Sequence, residues 1–531
     1  MAALFLVSGS APAEEQWRSV VESYCLDCHD ADSEKGGLNF VRLLDQGTKT
    51  DTDSWERALR QIQARQMPPI GKSRPTESEY EAAQKSLVES LDEIAELSPI
   101  PGRTDALRRL TRREYQNAIR DLLAIEIDAA ELLPADQSSH GFDNVTVGDL
   151  SPALLERYIY AAQKISRLAV GAKLNQPEGR TIRLRPDLTQ GKHVEGLPPG
   201  TRGGVLLNHN FPRSGTYEIR IHLARDRNEH VEGMRGVHKL AVLLDKNPIA
   251  DFEVRPPKNR DDHTKVDAHL AAKIEVDAGP RALGVTFVNK GNPLLEEIRQ
   301  PYEAHFNMHR HPRLSPAIFQ VTIIGPFDQS GKLETPSRER IFIGGKPEPI
   351  LRSLMRRAYR RSVTDADLER PMQFYREADN FESGIEAALS AILVSREFLF
   401  RVETDPPGMP AGKPYELNDL EIASRLSFFL WSSLPDEQLL AKAEAGVLRE
   451  NLEQEVKRML DDPRSAALVD NFADQWLYLR NLESTTPNGR LFPGFDDNLR
   501  QAFRRETELL FESVLREDRS VLDLIRPEET F

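Results

Sequence analysis

Apolar positions along the chain follow two periods. Spacings of three and four residues, which stack side chains on one face of a helix, run over Glu14–Tyr24, through Tyr80, Ala83, Leu87, Leu91 and Ile94 as far as Leu97, through Leu107, Leu110, Tyr115, Ala118 and Leu122, and from about Pro152 to Leu168. Thr76-Glu77-Ser78-Glu79 and Thr111-Arg112-Arg113-Glu114 have the form of capping boxes, so each predicts a helix start. From about Arg180 to Pro326 the period falls to two, as in Tyr217-Ile219-Ile221-Leu223, Leu240-Val242-Leu244, Leu283-Val285-Phe287 and Phe319-Val321-Ile323. Alternation of this kind predicts half-buried strands. Helical spacing then returns over Ile350–Arg361, Asp365–Asp379, Glu382–Arg401, Glu416–Ser433, Asn451–Asp461 and Leu499–Leu515, with Leu426, Phe428, Phe429, Leu430 and Trp431 bulky enough to be core. The pattern predicts a multidomain chain: an all-α N-terminal module over 14–98, helical domains over 103–172, 337–404 and 411–485, an inserted all-β sandwich over 178–328, and the start of a further helical domain over 490–531. Such sandwiches are common among carbohydrate-binding modules, although a fold does not prove a sugar site.

Composition narrows the function classes. At 531 residues, 39% hydrophobic and 29% charged, the chain can fill several cores. Its formal charge of −14 argues against a nucleic-acid backbone as partner. No apolar run reaches the roughly 20 residues a membrane-spanning helix needs. Residues 1–13 combine a short apolar patch with Ala11-Pro12-Ala13, which has the A-x-A form of a signal-peptidase site but lacks a basic start.

Only two cysteines occur, in Cys25-Leu26-Asp27-Cys28-His29. This C-x-x-C-H spacing suits two thioether bonds to the vinyl groups of one haem, with His29 beneath the iron as proximal ligand. A thioredoxin-like redox pair would need a preceding strand, whereas a helical stretch leads in here. A structural zinc would need a fourth ligand. Between Glu14 and Ser98 the remaining strong iron ligand is Met67, in Arg65-Gln66-Met67-Pro68-Pro69, where the prolines deny a helix and present the thioether from a fixed loop. Opening helix, C-x-x-C-H, Met-Pro-Pro loop and closing helix make the plan of a class I cytochrome c with one haem c per chain. Such attachment is made outside the cytoplasm, which favours reading 1–13 as a signal peptide and the protein as periplasmic or cell-surface. The segment Glu14–Ser98 holds 18 acidic and 10 basic residues, so a redox partner is expected to present a basic patch.

Other chemistry is weaker. Asp136, His140 and Asp143 could serve acid–base or metal chemistry, but Asp and Asn around a Gly more often make turns. Ten of twelve histidines fall between His193 and His311, including His305, His309 and His311, yet no thiol accompanies them and scattered histidines are usually polar surface. Arg356, Arg357, Arg360 and Arg361 form a basic cluster that could dock the acidic module or lie as a solvated face. No G-x-G-x-x-G or P-loop is present, which weighs against a nicotinamide, flavin or nucleotide site.

Several segments together resemble the multidomain Planctomycete-type cytochrome c proteins, over nearly the whole chain. Cys25–His29, Gly36-Gly37-Leu38 and Met67-Pro68-Pro69 look like the cytochrome module; Arg108–Tyr115 with His140–Asn144, Ala358–Thr364 with Ile392–Phe400, and Leu426–Pro435 with Asp470–Leu477 resemble the domains of unknown function that follow it. Ser362 and Arg396 stand where that family tends to place proline, and the chain stops earlier than the family usually does, as a fragment or a variant would. The resemblance implies haem binding, electron transfer and export, and it carries no assigned substrate. The expected function is therefore single-electron transfer, with a dehydrogenase or another cytochrome as redox partner and a polysaccharide as a possible further partner. The alternatives are a haem-coupled oxidoreductase acting on carbohydrate, its later domains forming the substrate site, and a non-catalytic glycan-binding surface protein.

Overall fold

The computed structural model describes residues 13–97, 107–138, 141–143, 151–173, 176–185, 188, 190–288, 313–328, 333–410, 413–488, 491–492, 495 and 497–531. The signal-peptide reading thus falls outside the described residues, apart from Ala13, where the first helix opens. Two compact units are present: one reaches Thr104 and includes Pro406–Glu416, the other comprises Asp105–Asp405 and Leu417–Phe531. No helix among the described residues is long and apolar enough to cross a membrane.

Among the described residues the first unit has four α-helices, Ala13–Tyr24, Phe40–Gln46, Thr52–Gln63 and Glu77–Leu97. Glu77–Leu97 begins at the expected capping box: Thr76 N donates to Glu79 Oε2 (2.7 Å) and Glu79 N to Thr76 Oγ1 (3.3 Å). The two middle helices were not anticipated. Their signals are local and short: Asn39 and Asp51 side chains accept from the first turns, and Trp55, Ala58 and Ile62 form a buried stripe. Trp17, Trp55, Phe40 and Leu87 anchor one core, the two indoles meeting edge to face at 4.5 Å.

Among the described residues the second unit carries ten strands: β1 (Leu107–Arg109), β2 (Glu178–Arg183), β3 (Thr201–Phe211), β4 (Gly215–Leu223), β5 (His238–Leu244), β6 (Asn247–Val254), β7 (Ala271–Val276), β8 (Gly279–Val288), β9 (Ile318–Gly325) and β10 (Phe400–Val402). Eight of them form two open four-stranded antiparallel sheets, ordered β2-β9-β4-β7 and β3-β8-β5-β6. The alternating residues named from the sequence meet in one core: Tyr217, Ile219 and Ile221 come from one sheet, and Leu240, Val242, Val285 and Phe287 from the other. Buried Gln190 staples the sheets. Its amide donates to Ile318 O (2.6 Å) in β9 and accepts from Gly204 N (3.2 Å) in β3. Gly204 lies at φ +92° inside a bulge, where a Cβ would sit 1.9 Å from Val285 O, so no other residue fits.

The helices flanking the sheets share a further core. Tyr115, Leu122, Tyr158 and Ile165 from the first stretch pack with Leu354, Met355, Ile385, Leu389 and Phe398 from the second. Two helix boundaries differ from expectation. Leu107–Arg109 is not helix but β1, paired with β10, because Thr111 caps a helix that starts only at Arg112. The helix expected over Glu382–Arg401 runs from Phe381 to Leu393; Ser395 then caps a four-residue turn, Arg396–Leu399, that feeds β10. Helices Asp419–Trp431, Glu437–Glu444 and Leu452–Asp461 close around buried Trp431, whose Nε1 donates to Met459 O (2.9 Å). Phe429, expected in the core, is 59% exposed, because it lies on the helix face opposite that contact.

None of the four clustered arginines is exposed, so they do not form a solvated face. Arg356 pairs with Glu437 and Glu444, and Arg361 with Asp367. Arg360 is buried and donates to the carbonyls of Ala358, Glu397, Phe398 and Phe400. Burial and nearby Arg401 push its pKa down, while these acceptors favour the charged form.

Candidate functional site: the cavity around Cys25, Cys28 and His29

Helix Ala13–Tyr24 ends where C-x-x-C-H begins. Cys25 N still donates to Val21 O (3.0 Å), then Cys28 N (3.2 Å) and His29 N (3.1 Å) both donate to Cys25 O, which winds the motif into a tight turn. The turn is tied onward by Phe40 N to His29 O (2.7 Å) and Lys35 N to Cys28 O (3.2 Å). The His29 ring meets Phe40 edge to face at 5.4 Å. The two cysteines are not joined to each other by a disulfide, and both are half-buried. Burial, and then the neighbouring Cys28, push the Cys25 thiol up to about 11.

Met67 comes from the loop between helices Thr52–Gln63 and Glu77–Leu97. Its carbonyl accepts from the Tyr80 hydroxyl (2.9 Å), which in turn accepts from Arg74 Nε (3.3 Å). Arg74 also donates to Arg65 O (2.6 Å), and the Arg65 guanidinium lies 4.6 Å from the Tyr80 ring centre while pairing with Glu77. These contacts of Tyr80, Arg74 and Arg65 fix a loop that has no regular structure of its own.

Cys25, Cys28, His29 and Met67 all line one cavity of about 590 Å³, whose other walls include Val20, Leu38, Phe40, Ile62, Pro68 and Pro69. Volume and mostly apolar lining match cofactor sites, typically ~300–1,000 Å³. His29 Nδ1 is buried with no hydrogen-bond partner among the described residues, and Met67 remains 38% exposed. Two thiols in a turn, an imidazole and a thioether lining one largely apolar cavity form a donor set that fits a haem with two thioether links and two axial ligands.

The other sequence candidates fare differently. Asp136 accepts from Arg112 N (2.5 Å) and from Arg109 (3.2 Å), and Asp143 from Arg480 (2.6 Å), so both are ion-paired ties and not simply turn formers. Burial pushes the Asp136 pKa up, against Arg112 and Arg109. His140, His305, His309 and His311 lie outside the described residues. Among the described residues no group of three or more His, Cys, Asp or Glu is placed to hold a metal. Tyr80 and Arg74 were missed by sequence reasoning; only the nearness of Arg74 and Tyr80 to Met-Pro-Pro hinted at them.

The site defines a c-type cytochrome module joined to further domains, and comparison with known families agrees. Residues 25–71 match the family described as Planctomycete cytochrome C, which implies a covalently bound haem. Residues 108–171, 348–403 and 417–531 match three families described as proteins of unknown function, DUF1587, DUF1595 and DUF1592. Taken in order, the matches are a Planctomycete cytochrome c module followed by domains of unknown function. No curated protein and no solved structure matches it significantly.

Proposed function

We propose that this chain is an exported cytochrome of the class I type that transfers single electrons, with one haem c bound through Cys25 and Cys28 and its iron held by His29 and Met67. The observation that carries the reading is the convergence of these four side chains, from two loops 38 residues apart, on a single apolar cavity. When bound, the haem supplies reversible one-electron chemistry at iron. The chain does the rest. The turn after Tyr24 holds both sulfurs and the imidazole on one wall. Leu38, Phe40, Ile62 and the two prolines exclude water, which favours the less charged reduced site and, with a methionine ligand, a relatively high potential. The two facing sheets are read as a β-sandwich that locates a partner or a polymer.

The test is expression of the full chain with a haem-attachment system. Intact mass should rise by one haem, and Cys25→Ala with Cys28→Ala should abolish the adduct. Met67→Ala should keep the adduct and lose the methionine-to-iron charge-transfer band; an unchanged band removes Met67 from the site. Haem reduction that depends on an added sugar would favour a carbohydrate oxidoreductase instead.

A further inference from the structure

The overall charge of the cytochrome segment points to a basic partner, and the cavity mouth points the other way. Of the ten basic residues between Glu14 and Ser98, Lys35, Arg57, Arg60 and Lys72 line the cavity, against one carboxylate, Asp27, from eighteen acidic residues. All four cations are exposed. Lys35 and Lys72 make no side-chain hydrogen bond or ion pair with any described residue. Arg57 donates to Gly36 O (2.7 Å), a neutral acceptor that leaves its charge intact. Only Arg60 has a carboxylate partner, Glu56 at 3.3 Å, and that pair is largely in solvent, where it is worth little. Beside them Ile70, in the loop between Pro69 and Lys72, is 95% exposed. An apolar contact point with charges around it is how transient protein interfaces are built.

We infer that this cation-rimmed mouth is the docking surface for the acidic face of a redox partner protein. The inference rests on the proposal that the cavity holds the haem. Distance decides between net and local charge. At an ionic strength near 0.15 M the Debye length is about 8 Å, so an approaching partner responds to the charges at the mouth more than to the net charge of the unit. Steering by such a patch acts mainly on the association rate and its salt dependence.

The test uses the haem-loaded full chain, reduced, and two oxidants of opposite charge: hexacyanoferrate(III), a trianion, and tris(phenanthroline)cobalt(III), a trication. In each case one electron leaves the protein and reduces one metal complex. The rate constant with the trianion should fall on the order of fivefold as ionic strength rises from about 0.01 to 0.15 M, and that with the trication should not fall. Poly-L-glutamate, standing in for an acidic protein face, should slow the trianion reaction at low salt. Lys35→Glu with Lys72→Glu should abolish or reverse the trianion's salt dependence and relieve the polyglutamate effect, whereas Lys85→Glu, on the exposed side of the last helix of the unit, should leave both in place. A trianion rate that rises with salt in the unsubstituted protein overturns the inference. So does a double variant whose salt dependence is unchanged but whose haem potential shifts, because the lysines then serve the haem's own carboxylates. A chain that takes up no covalent haem overturns the function and the docking surface together.

Discussion

Tyr80 shows how much of the site depends on one hydroxyl. It is buried, donates to the Met67 carbonyl and accepts from Arg74, so it joins the closing helix to the loop that carries the thioether. Tyr80→Phe keeps the ring under Arg65 and removes both hydrogen bonds. The expected cost is about 1 kcal/mol of loop stability. The methionine-to-iron band should then disappear at lower urea concentration than in the unsubstituted protein, with covalent haem unchanged; identical midpoints would assign the loop's position to the prolines alone. C-x-x-C-H could be read directly because its chemistry lies within five consecutive residues. The Tyr80 contact could not, because it depends on how a loop folds back on a helix, and no periodicity encodes that.

At the level of elements, His209 in β3 couples the sheets to pH. Its ring stands edge-on to Phe211 at 4.6 Å and beside Arg180. Burial, and then the Arg180 charge, push its pKa down to about 4. In the unfolded chain it returns to about 6.5. Between those values the unfolded state binds the extra proton, so the stability this site contributes is complete above pH ~6.5, declines as the pH falls, and is gone below the folded value. Urea midpoints at pH 7 and pH 4.5 should differ more for the unsubstituted protein than for His209→Gln; equal differences would exclude His209 as the source. The strands themselves were legible, since alternation over Tyr217–Leu223 or Leu283–Phe287 reports a half-buried face directly. The short elements were not. β1 has three residues and inherits the apolar spacing of the helix after it, and β10 is the tail of a segment whose apolar residues still look helical. Residues 356–361 show the same limit for charge: four arginines within six residues read as surface, yet Arg356 meets Glu437 and Glu444, and Arg360 meets the carbonyls of Glu397, Phe398 and Phe400, all distant along the chain.

For the second unit as a whole, connectivity matters most. The sheets leave the helical core after Val170 and the chain re-enters at Pro336, and there Arg338 donates to Val170 O, so the two ends of the excursion are adjacent. Replacing residues 174–332 by a short Gly/Ser linker should therefore preserve the helical core. Far-UV circular dichroism of that variant should keep its helical signal and a cooperative thermal transition, and a non-cooperative melt would mean the sheets are needed to hold the helices. Periodicity marked each helix's buried face but not its partner, so the common core of Tyr115, Tyr158, Leu354 and Leu389 could not be foreseen from patterns that are local along the chain.

That shared core also sets an order of events as the chain is made. Helices Arg112–Leu123 and Pro152–Val170 emerge with bare apolar faces whose far counterparts, in the stretch ending at Val402, are more than two hundred residues away. At about 5–20 residues per second the wait is on the order of tens of seconds. The intervening sheets have all their strands by Gly325 and can close first, so a chain that folds as it emerges passes through a stage in which its middle is native while the flanking helices still lack their counterparts.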